Sequence, residues 1–253
     1  MSTQYSRIAI ITGATSGIGE ATARKLIANG YGVVGNGRKA EKLRTLEEEF
    51  NGAFCGVAGD ASENSVLESL FTSAIAHFGK AADIVIANAG RGLGGSVKEA
   101  DLGQLEEMFK VNVTGTLHLL QKAARKMTDG VQSDFPKRAS DIVIIGSVVG
   151  RNISPFGAVY SASKFAVHAL TESLRRELGP KGIRVSLVEP GVVISGFQEA
   201  AGYGSDLVRH FDEKFGPLLK GDDVGNAIHY IVSQPPHVHI SDIVIRPTRQ
   251  DYP

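Results

Sequence analysis

Short apolar runs recur along the chain at fairly even intervals, and segments with helical spacing of apolar positions lie between them. The short runs are rich in β-branched residues and are typical of buried strands, over residues 8–12, 32–36, 53–57, 83–87, 141–146, 183–189 and 240–245. The helical pattern covers residues 17–29, 41–50, 62–78, 102–126, 158–178 and 223–233. This alternation predicts an α/β fold with a parallel sheet and helices on both faces.

The charge balance argues against a nucleic-acid partner. The 253 residues include 27 Lys and Arg against 27 Asp and Glu, so the formal net charge is zero. Nucleic-acid-binding proteins usually carry a basic excess or a basic block, and because neither occurs here we expect no nucleic-acid partner. With 42% hydrophobic and 21% charged residues, the composition is that of an ordinary soluble globular chain.

The sequence also lacks the features of exported and membrane proteins. No apolar run approaches the roughly 18 residues that a membrane span needs, and the first residues lack the apolar core of a secretory signal. Cys55 is the single cysteine and cannot form an intrachain disulfide, which suits a reducing compartment. We therefore expect a cytoplasmic protein with no membrane partner.

A glycine-rich turn follows the first predicted strand. Residues 12–19 read TGATSGIG and lead directly into a helix-forming segment. Glycines permit a tight turn and let the backbone approach a pyrophosphate, whose charge then lies at a helix N-terminus. Glycines also end many strands, so the turn alone leaves open an ordinary strand-to-helix connection, while its context favours a dinucleotide site.

The glycine spacing, Gly-x-x-x-Gly-x-Gly, resembles that of the short-chain dehydrogenases/reductases. Three further motifs match that family in order and spacing: NAG at residues 88–90, YSASK at 160–164 and PG at 190–191. The resemblance covers essentially the whole chain. It implies one α/β domain over residues 1–253, a Rossmann fold with a doubly wound, seven-stranded parallel sheet, and oxidoreductase activity with a nicotinamide cofactor.

The resemblance also implies a set of cofactor-binding residues. In it, Asp60 contacts the adenine through its side chain, and Asn88 and Gly90 border the ribose. The full set carried over by motif is Gly13, Thr15, Ser16, Gly17, Ile18, Gly19, Asn36, Arg38, Asp60, Asn88, Ala89, Gly90, Tyr160, Lys164, Pro190, Gly191 and Val193.

Arg38 favours NADP(H) over NAD(H). It follows the second strand, where NAD-preferring relatives typically place an acidic residue for the ribose hydroxyls. A carboxylate there would repel a 2′-phosphate, whereas a guanidinium pairs with it bidentately, with Asn36 as a second candidate contact. The alternative is that Arg38 is the solvated start of the next helix, since the glycine turn contains no second basic residue.

Tyr160 and Lys164 are the candidate proton-transfer pair. Four residues apart on a helix, they lie on one face, and a cation beside a tyrosine, whose ordinary pKa is about 10, favours the phenolate. Tyr160 is then the proton donor to a carbonyl or the base toward an alcohol. The resemblance implies that Lys164 also holds the nicotinamide ribose. Such a pair is by itself more often a surface feature, so the assignment depends on the other motifs.

Ser147 and Asn112 complete the catalytic set that the resemblance implies. Ser147 ends the fifth strand 13 residues before Tyr160, which matches the family spacing, although serine is also a common cap or turn residue. Asn112 matches the asparagine that in relatives kinks the long helix and carries a water toward the lysine. The predicted catalytic residues are thus Asn112, Ser147, Tyr160 and Lys164.

No metal site of comparable strength is predicted. His237 and His239 form a His-x-His pair before the last strand, but no third ligand of clear identity lies nearby in the sequence. A surface or interface position is the better interpretation of this pair.

The C-terminal sequence resembles one branch of the family. Residues 235–248 are similar to the ending of NADP-dependent 3-hydroxy acid and serine dehydrogenases and related aldehyde reductases, which implies a homotetramer with this tail on a neighbour. The helices around Asn112 and Tyr160 would then form a main interface. If the substrate is a small carboxylate or sulfonate, Ser147 lies at its oxygen and Arg151 or Arg91 at its anion, unless these arginines are solvated loop residues.

A larger apolar substrate is the alternative. Phe197, Tyr203, Phe211 and Phe215 lie in a segment with Gly196, Gly202 and Gly204, which predicts a mobile aromatic lid over a bulkier ketone. A third possibility is a regulator that keeps the fold and binds the cofactor without catalysis, because a fold does not prove a function.

Overall fold

Strands and helices alternate along the chain in the computed structural model, which describes residues 5–129, 135–153, 157–195, 197 and 205–253. The strands are β1 Ile8–Ile11, β2 Gly32–Gly37, β3 Phe54–Ala58, β4 Ile84–Ala87, β5 Ser140–Ile145, β6 Ile183–Pro190, β7 Val193–Ile194, β8 Leu219–Lys220 and β9 Asp242–Ile245. The α-helices are α1 Gly17–Ala28, α2 Ala40–Phe50, α3 Asn64–Phe78, α4 Leu102–Phe109, α5 Thr116–Asp129, α6 Ala158–Leu178, α7 Ser205–Phe215 and α8 Gly221–Val232.

In the described part of the chain, seven strands form one parallel sheet in the order β3-β2-β1-β4-β5-β6-β9. This confirms the doubly wound sheet that the sequence predicts. The strand order reverses between β1 and β4, and ligands of such sheets bind in the crevice beyond the carboxyl ends of the strands at this point. A short parallel pair of β7 and β8 lies outside the main sheet.

The core consists of two apolar layers, one on each face of the sheet. Alternate residues of β1 enter opposite layers, because successive side chains of a strand point to opposite faces. Ile8 and Ile10 pack on one side with α3, α5 and α6, and Ala9 and Ile11 pack on the other with α1, α2 and α8. The helices therefore cover both faces, as predicted.

The long helix predicted over residues 102–126 is not continuous. The α-helices α4 and α5 are joined by a π-helical turn over Lys110–Gly115, with Asn112 inside it. Such turns are rare and frequently occur at functional sites. A Cβ at Gly115 would lie 3.0 Å from the Cα of Ser62, so this turn packs closely against the chain before α3.

A buried ionic cluster fixes the opposite, amino-terminal edge of the sheet. Asp141, near the start of β5, accepts hydrogen bonds from Nε and Nη2 of Arg184 at 2.7 and 2.9 Å and lies 2.8 Å from Nη2 of Arg7. Arg7 also pairs with Asp83 at 2.9 Å. The starts of four strands, β1, β4, β5 and β6, are thereby joined, far from the carboxyl ends.

None of the helices in the described residues is long and apolar enough to cross a membrane.

Candidate active site

A cleft of about 1110 Å³ lies at the carboxyl ends of the strands. It is formed by the turn after β1, the ends of β2, β4 and β5, the start of α6, the segment after β6, α7 and the last residues of the chain. Most of the residues predicted from the sequence line it, namely Gly13, Thr15, Ser16, Gly17, Ile18, Asn36, Arg38, Asp60, Asn88, Ala89, Gly90, Arg91, Ser147, Tyr160, Lys164, Pro190, Gly191 and Val193.

The turn between β1 and α1 depends on its glycines. Gly13 and Gly17 have φ angles of +68° and +54°, a backbone conformation that strains other residues. A Cβ at Gly19 would lie 2.2 Å from the Gly13 carbonyl oxygen, so glycine alone lets α1 begin this close to the strand end. The N-terminus of α1 therefore opens on the cleft, where its unpaired N–H groups and helix dipole favour an anion.

Hydrogen bonds fasten this turn to the end of β4. Thr12 Oγ1 accepts from the backbone N–H groups of Asn88 and Ala89, each at 3.1 Å. The Asn88 side chain donates in return to the carbonyl oxygens of Thr12 and Gly13, at 2.9 and 3.2 Å. The two sides of the topological reversal are thus held at a fixed separation.

Asn36, Arg38 and Asp60 line the end of the cleft beyond β2 and β3. The buried Asn36 amide donates to the carbonyl oxygens of Val57 and Gly59, both at 3.0 Å, so its NH₂ group fastens β2 to the segment after β3. Asp60 Oδ1 accepts from the backbone and hydroxyl of Ser62 at 2.8 Å each. The backbone hydrogen bond is the main cause of a lowered Asp60 pKa. Arg38 is exposed.

Tyr160 and Lys164 lie on the cleft-facing side of α6. The Lys164 side chain is buried, and its Nζ lies 5.8 Å from the centroid of the Tyr160 ring and 2.8 Å from the carbonyl oxygen of Ile145, to which it donates. Burial lowers the pKa of Lys164 to about 8. The Tyr160 ring also contacts the Phe197 ring, with centroids 5.5 Å apart. A cation is therefore held beside the tyrosine.

Ser147 follows β5 and both lines the cleft and begins the 3-10 turn Val148–Gly150. Its Oγ accepts from the Val149 N–H at 3.4 Å, a long contact that caps this turn. Its backbone N–H donates to Nε2 of His168 at 3.3 Å. His168 has no counterpart among the predicted residues, although its position four residues after Lys164 on one helix face was a signal for it.

Asn112 lies behind the cleft wall. Its buried side chain accepts from the Arg91 N–H and donates to the Arg91 carbonyl oxygen, both at 2.8 Å, and also donates to Ser163 Oγ at 3.2 Å. The asparagine thus joins the segment after β4 to α6. The role implied for Asn112, to carry a water toward Lys164, stays a prediction.

The two arginines predicted for a substrate anion are both engaged within the protein. Arg151 binds Glu189 through two contacts of 2.6 Å and Asp242 at 2.8 Å, and among the described residues it is not part of the cleft lining. A contact of Arg151 with a substrate anion stays a prediction. Arg91 lines the cleft, but its guanidinium contacts Glu107 at 2.6 Å.

Residues from α7 and from the chain end close the cleft. Of the predicted aromatic lid, Phe197, Phe211 and Phe215 line it, whereas Tyr203 lies outside the described residues, as do Gly196, Gly202 and Gly204. His210 and Lys214 also line the cleft and were not predicted; their four-residue spacing on α7 was the available signal.

The C-terminal segment packs on its own chain. Gln250 is buried, and its Oε1 accepts from the Val192 N–H at 2.9 Å; Tyr252 donates from its hydroxyl to the Ile153 carbonyl oxygen. Tyr252 and Pro253 line the cleft. These contacts lie within one chain, and both the packing of this tail on a neighbour and the homotetramer stay predictions.

Comparisons with known proteins agree with this geometry. The family model described as short chain dehydrogenase matches residues 7–204. A serine 3-dehydrogenase of Agrobacterium fabrum is 31% identical over 244 residues, which cover 96% of this chain and 94% of that protein. The closed form of a serine dehydrogenase complexed with NADP⁺ has a TM-score of 0.85 at 27% identity, covering 97% of this chain and 96% of the other.

Another similar solved structure contains NADH instead of NADP⁺. The 3-ketoacyl-(acyl-carrier-protein) reductase of Brucella melitensis complexed with NADH has a TM-score of 0.83 at 25% identity, covering 97% of this chain and 98% of the other. The family model's match agrees with three features of the structure, namely the sheet order, the glycine turn and the Tyr160–Lys164 pair. This protein is an oxidoreductase of the short-chain dehydrogenase family.

Proposed function

We propose that the protein uses NADP(H) to interconvert a carbonyl and a primary or secondary alcohol. The observation that carries the proposal is the presence of Ser147, Tyr160 and Lys164 on the wall of one cleft, next to the glycine turn. A hydroxyl, a phenol and an ammonium group are the side chains that a carbonyl oxygen needs when it gains a proton.

The residues of the cleft fit a nicotinamide dinucleotide. The turn of Gly13 and Gly17 leaves backbone N–H groups and the N-terminus of α1 for the pyrophosphate. Asp60 and Gly90 line the cleft and are expected at the adenine and a ribose, and Pro190 and Val193 line it and are expected beside the nicotinamide. When bound, the cofactor supplies hydride to the carbonyl carbon or accepts it from the alcohol.

Side chains of the protein transfer the proton to or from the substrate oxygen. In reduction, Tyr160 donates its phenolic proton to the carbonyl oxygen as hydride reaches the carbon, and in oxidation it takes the alcohol proton. Ser147 donates a hydrogen bond to the same oxygen. Lys164 favours the phenolate by its charge and supports the nicotinamide ribose, and Asn112 holds the segment after β4 against α6.

Arg38 supports the preference for NADP(H). It lines the cleft at the end of β2, it is exposed, and its charge acts on Asp60 near the expected adenine. Its guanidinium suits a 2′-phosphate better than a diol. The likeness to a serine dehydrogenase complexed with NADP⁺ points the same way.

For the substrate we propose a small polar molecule, a 3-hydroxy acid or a short aldehyde. The similarity to a serine 3-dehydrogenase supports this substrate class. Lys214 lines the cleft, whereas Arg151 is not part of the lining among the described residues, so we propose Lys214 as the cation that pairs with a substrate carboxylate. Lys214 is exposed and its Nζ lies 4.9 Å from the centroid of the Phe215 ring.

A second candidate is a bulkier hydrophobic ketone. Phe197, Phe211 and Phe215 line the cleft, and the rings of Phe211 and Phe215 are stacked with centroids 6.1 Å apart. These rings would cover an apolar substrate.

The test is NADPH consumption with acidic aldehydes and oxo acids beside bulky ketones, with NADH as the comparison. Tyr160→Phe is expected to lose activity by about 100-fold or more while it still binds NADPH. Tyr230→Phe is the matched control, because Tyr230 is 53% exposed on α8 and, within the described residues, is not part of the cleft lining. Unchanged turnover in Tyr160→Phe would refute the mechanism, and NADPH binding without any turnover in the wild type would favour the non-catalytic regulator.

A further inference from the structure

The half-buried side chain of His168 contacts the backbone of Ser147. The His168 side chain is 13% exposed, and its Nε2 accepts the Ser147 backbone N–H at 3.3 Å. The preceding residue, Gly146, is fixed independently, since its N–H donates to the Val188 carbonyl oxygen at 2.8 Å. The end of β5 is thus held by the sheet up to Gly146, and His168 provides the next contact.

The segment that carries Ser147 packs closely against the imidazole ring of His168. A Cβ at Gly146 would lie 2.4 Å from Nε2 of His168, and a Cβ at Gly150 would lie 2.3 Å from its Cε1. Both distances are shorter than real Cβ contacts. Glycine at both positions therefore lets the segment that carries Ser147 pack directly against the ring.

The contact with Ser147 determines where the ring carries its proton. A backbone N–H only donates, so Nε2 must be the unprotonated acceptor and Nδ1 must hold the hydrogen. Nδ1 lies 3.6 Å from Oε2 of Glu189, whose side chain is fully buried. A carboxylate at that position stabilises the Nδ1–H tautomer, because it attracts the hydrogen.

The charges around the ring keep it neutral. Burial is the main cause that lowers the pKa of His168 to about 4, and the cations of Lys164 and Arg151 lower it further. Glu189 is neutralised by the two 2.6 Å contacts from Arg151, which also binds Asp242. Arg151 thereby serves the carboxylate behind the site instead of a substrate.

We infer that His168 is a positioning residue that sets the Ser147 hydroxyl in the cleft, and that Glu189 and Arg151 hold His168 in the tautomer this requires. The inference rests on the proposed function, because it gives Ser147 a role at the substrate oxygen. Glu189 directly precedes Pro190, so the same network connects the Ser147 loop to the segment expected beside the nicotinamide.

The tautomer is measurable without any substrate. In protein labelled with ¹⁵N-histidine, the His168 ring is expected to show a protonated Nδ1 and an unprotonated Nε2 from pH 6 to 8, assigned by loss of its signals in His168→Gln. An Nε2–H tautomer or an imidazolium in this range would overturn the inference, whatever the activity of the protein.

The effect of His168 on catalysis is tested by measuring kcat and NADPH affinity in variants that fold as well as the wild type. His168→Leu removes the acceptor and is expected to lower kcat about 10-fold or more, with NADPH affinity within about twofold of wild type. His168→Gln places an amide oxygen near the Nε2 position and is expected to recover most of the loss. If the leucine variant does not fold, His168→Asn, whose shorter amide does not reach Ser147, takes its place. His237→Leu, at an exposed histidine, is the control.

A double-mutant cycle with Ser147→Ala separates positioning from packing. If His168 acts through Ser147, adding His168→Leu to Ser147→Ala lowers kcat no further than about twofold. Losses that multiply would overturn the inference, as would an unchanged kcat in His168→Leu. Failure of the proposed function is distinct from these outcomes, since it would leave wild type and Tyr160→Phe equally active or equally silent.

Discussion

The Lys164 ammonium donates a hydrogen bond to the carbonyl oxygen of Ile145 at 2.8 Å. Ile145 is the last residue of β5, two positions before Ser147, so the strand that presents the serine also anchors the cation. The side chain is only 8% exposed, and burial lowers its pKa to about 8. A buried cation of this kind is a feature of functional sites, where charge is retained at the expense of stability.

Replacing this lysine is therefore expected to stabilise the fold and inactivate the enzyme. A pKa lowered from its ordinary value to about 8 corresponds to about 3 kcal/mol of unfavourable burial, of which the lost hydrogen bond offsets about 1. Lys164→Met is expected to raise the free energy of unfolding by about 2 kcal/mol at pH 7, measured by urea denaturation, and to abolish NADPH oxidation.

The gain from Lys164→Met should depend on pH in a defined direction. Below pH 8 the lysine is charged in both states, so the folded wild type bears the full burial penalty. Between pH 8 and about 10.4 the folded state releases the proton while the unfolded state keeps it, and the wild type recovers stability. The difference between the two proteins should shrink over this interval; a constant difference would contradict the assigned cause.

Arg38 should determine which nicotinamide cofactor is preferred. Arg38→Ala is expected to raise KM for NADPH about 10-fold or more and to leave KM for NADH nearly unchanged, because only the 2′-phosphate loses a partner. Lys39→Ala is the matched control, since Lys39 is also exposed but, in the described chain, is not in the cleft lining. Equal effects on the two cofactors would show that Arg38 does not contact the phosphate.

Features encoded over short stretches of chain were predictable. The glycine turn of residues 12–19 and the YSASK motif at 160–164 each lie on one strand-to-helix connection or one helix, so spacing alone places their residues together. The alternation of apolar runs likewise predicted a parallel sheet with helices on both faces, because parallel strands need crossover connections that helices usually provide.

Features that depend on distant parts of the chain were not predictable. Arg151 binds Glu189 and Asp242, which lie 38 and 91 residues away, and no local pattern distinguishes it from a free loop arginine. The Gln250 contact to the Val192 N–H spans 58 residues. The resemblance implied a kink at Asn112, but helical spacing could not predict the hydrogen bonds of its side chain with the Arg91 backbone, 21 residues earlier.

Gly150 should be intolerant of even one methyl group. In Gly150→Ala the new Cβ would lie 2.3 Å from Cε1 and 2.4 Å from Nε2 of the His168 ring. We expect a loss of about 1–3 kcal/mol in unfolding free energy together with a lower kcat, measured by denaturation and steady-state kinetics. Gly179→Ala is the control, because nothing lies within 4 Å of its Cβ position. Wild-type kcat in Gly150→Ala would mean that the ring moves without displacing Ser147.

Asp141 should affect stability without affecting the chemistry. Its side chain is 1% exposed and is bound by Arg7 and Arg184 at the amino-terminal edge of the sheet. Asp141→Asn removes the negative charge and leaves both guanidinium groups without it, so unfolding free energy should fall by about 3 kcal/mol or more. Glu172 gives the control, because its carboxylate is solvated and pairs with Arg175 and Arg176 at the surface, so Glu172→Gln should leave the unfolding free energy close to that of the wild type. Because the cleft lies at the opposite edge, folded Asp141→Asn assayed well below its Tm should keep the wild-type KM for NADPH, and a raised KM would show that the two edges of the sheet are coupled.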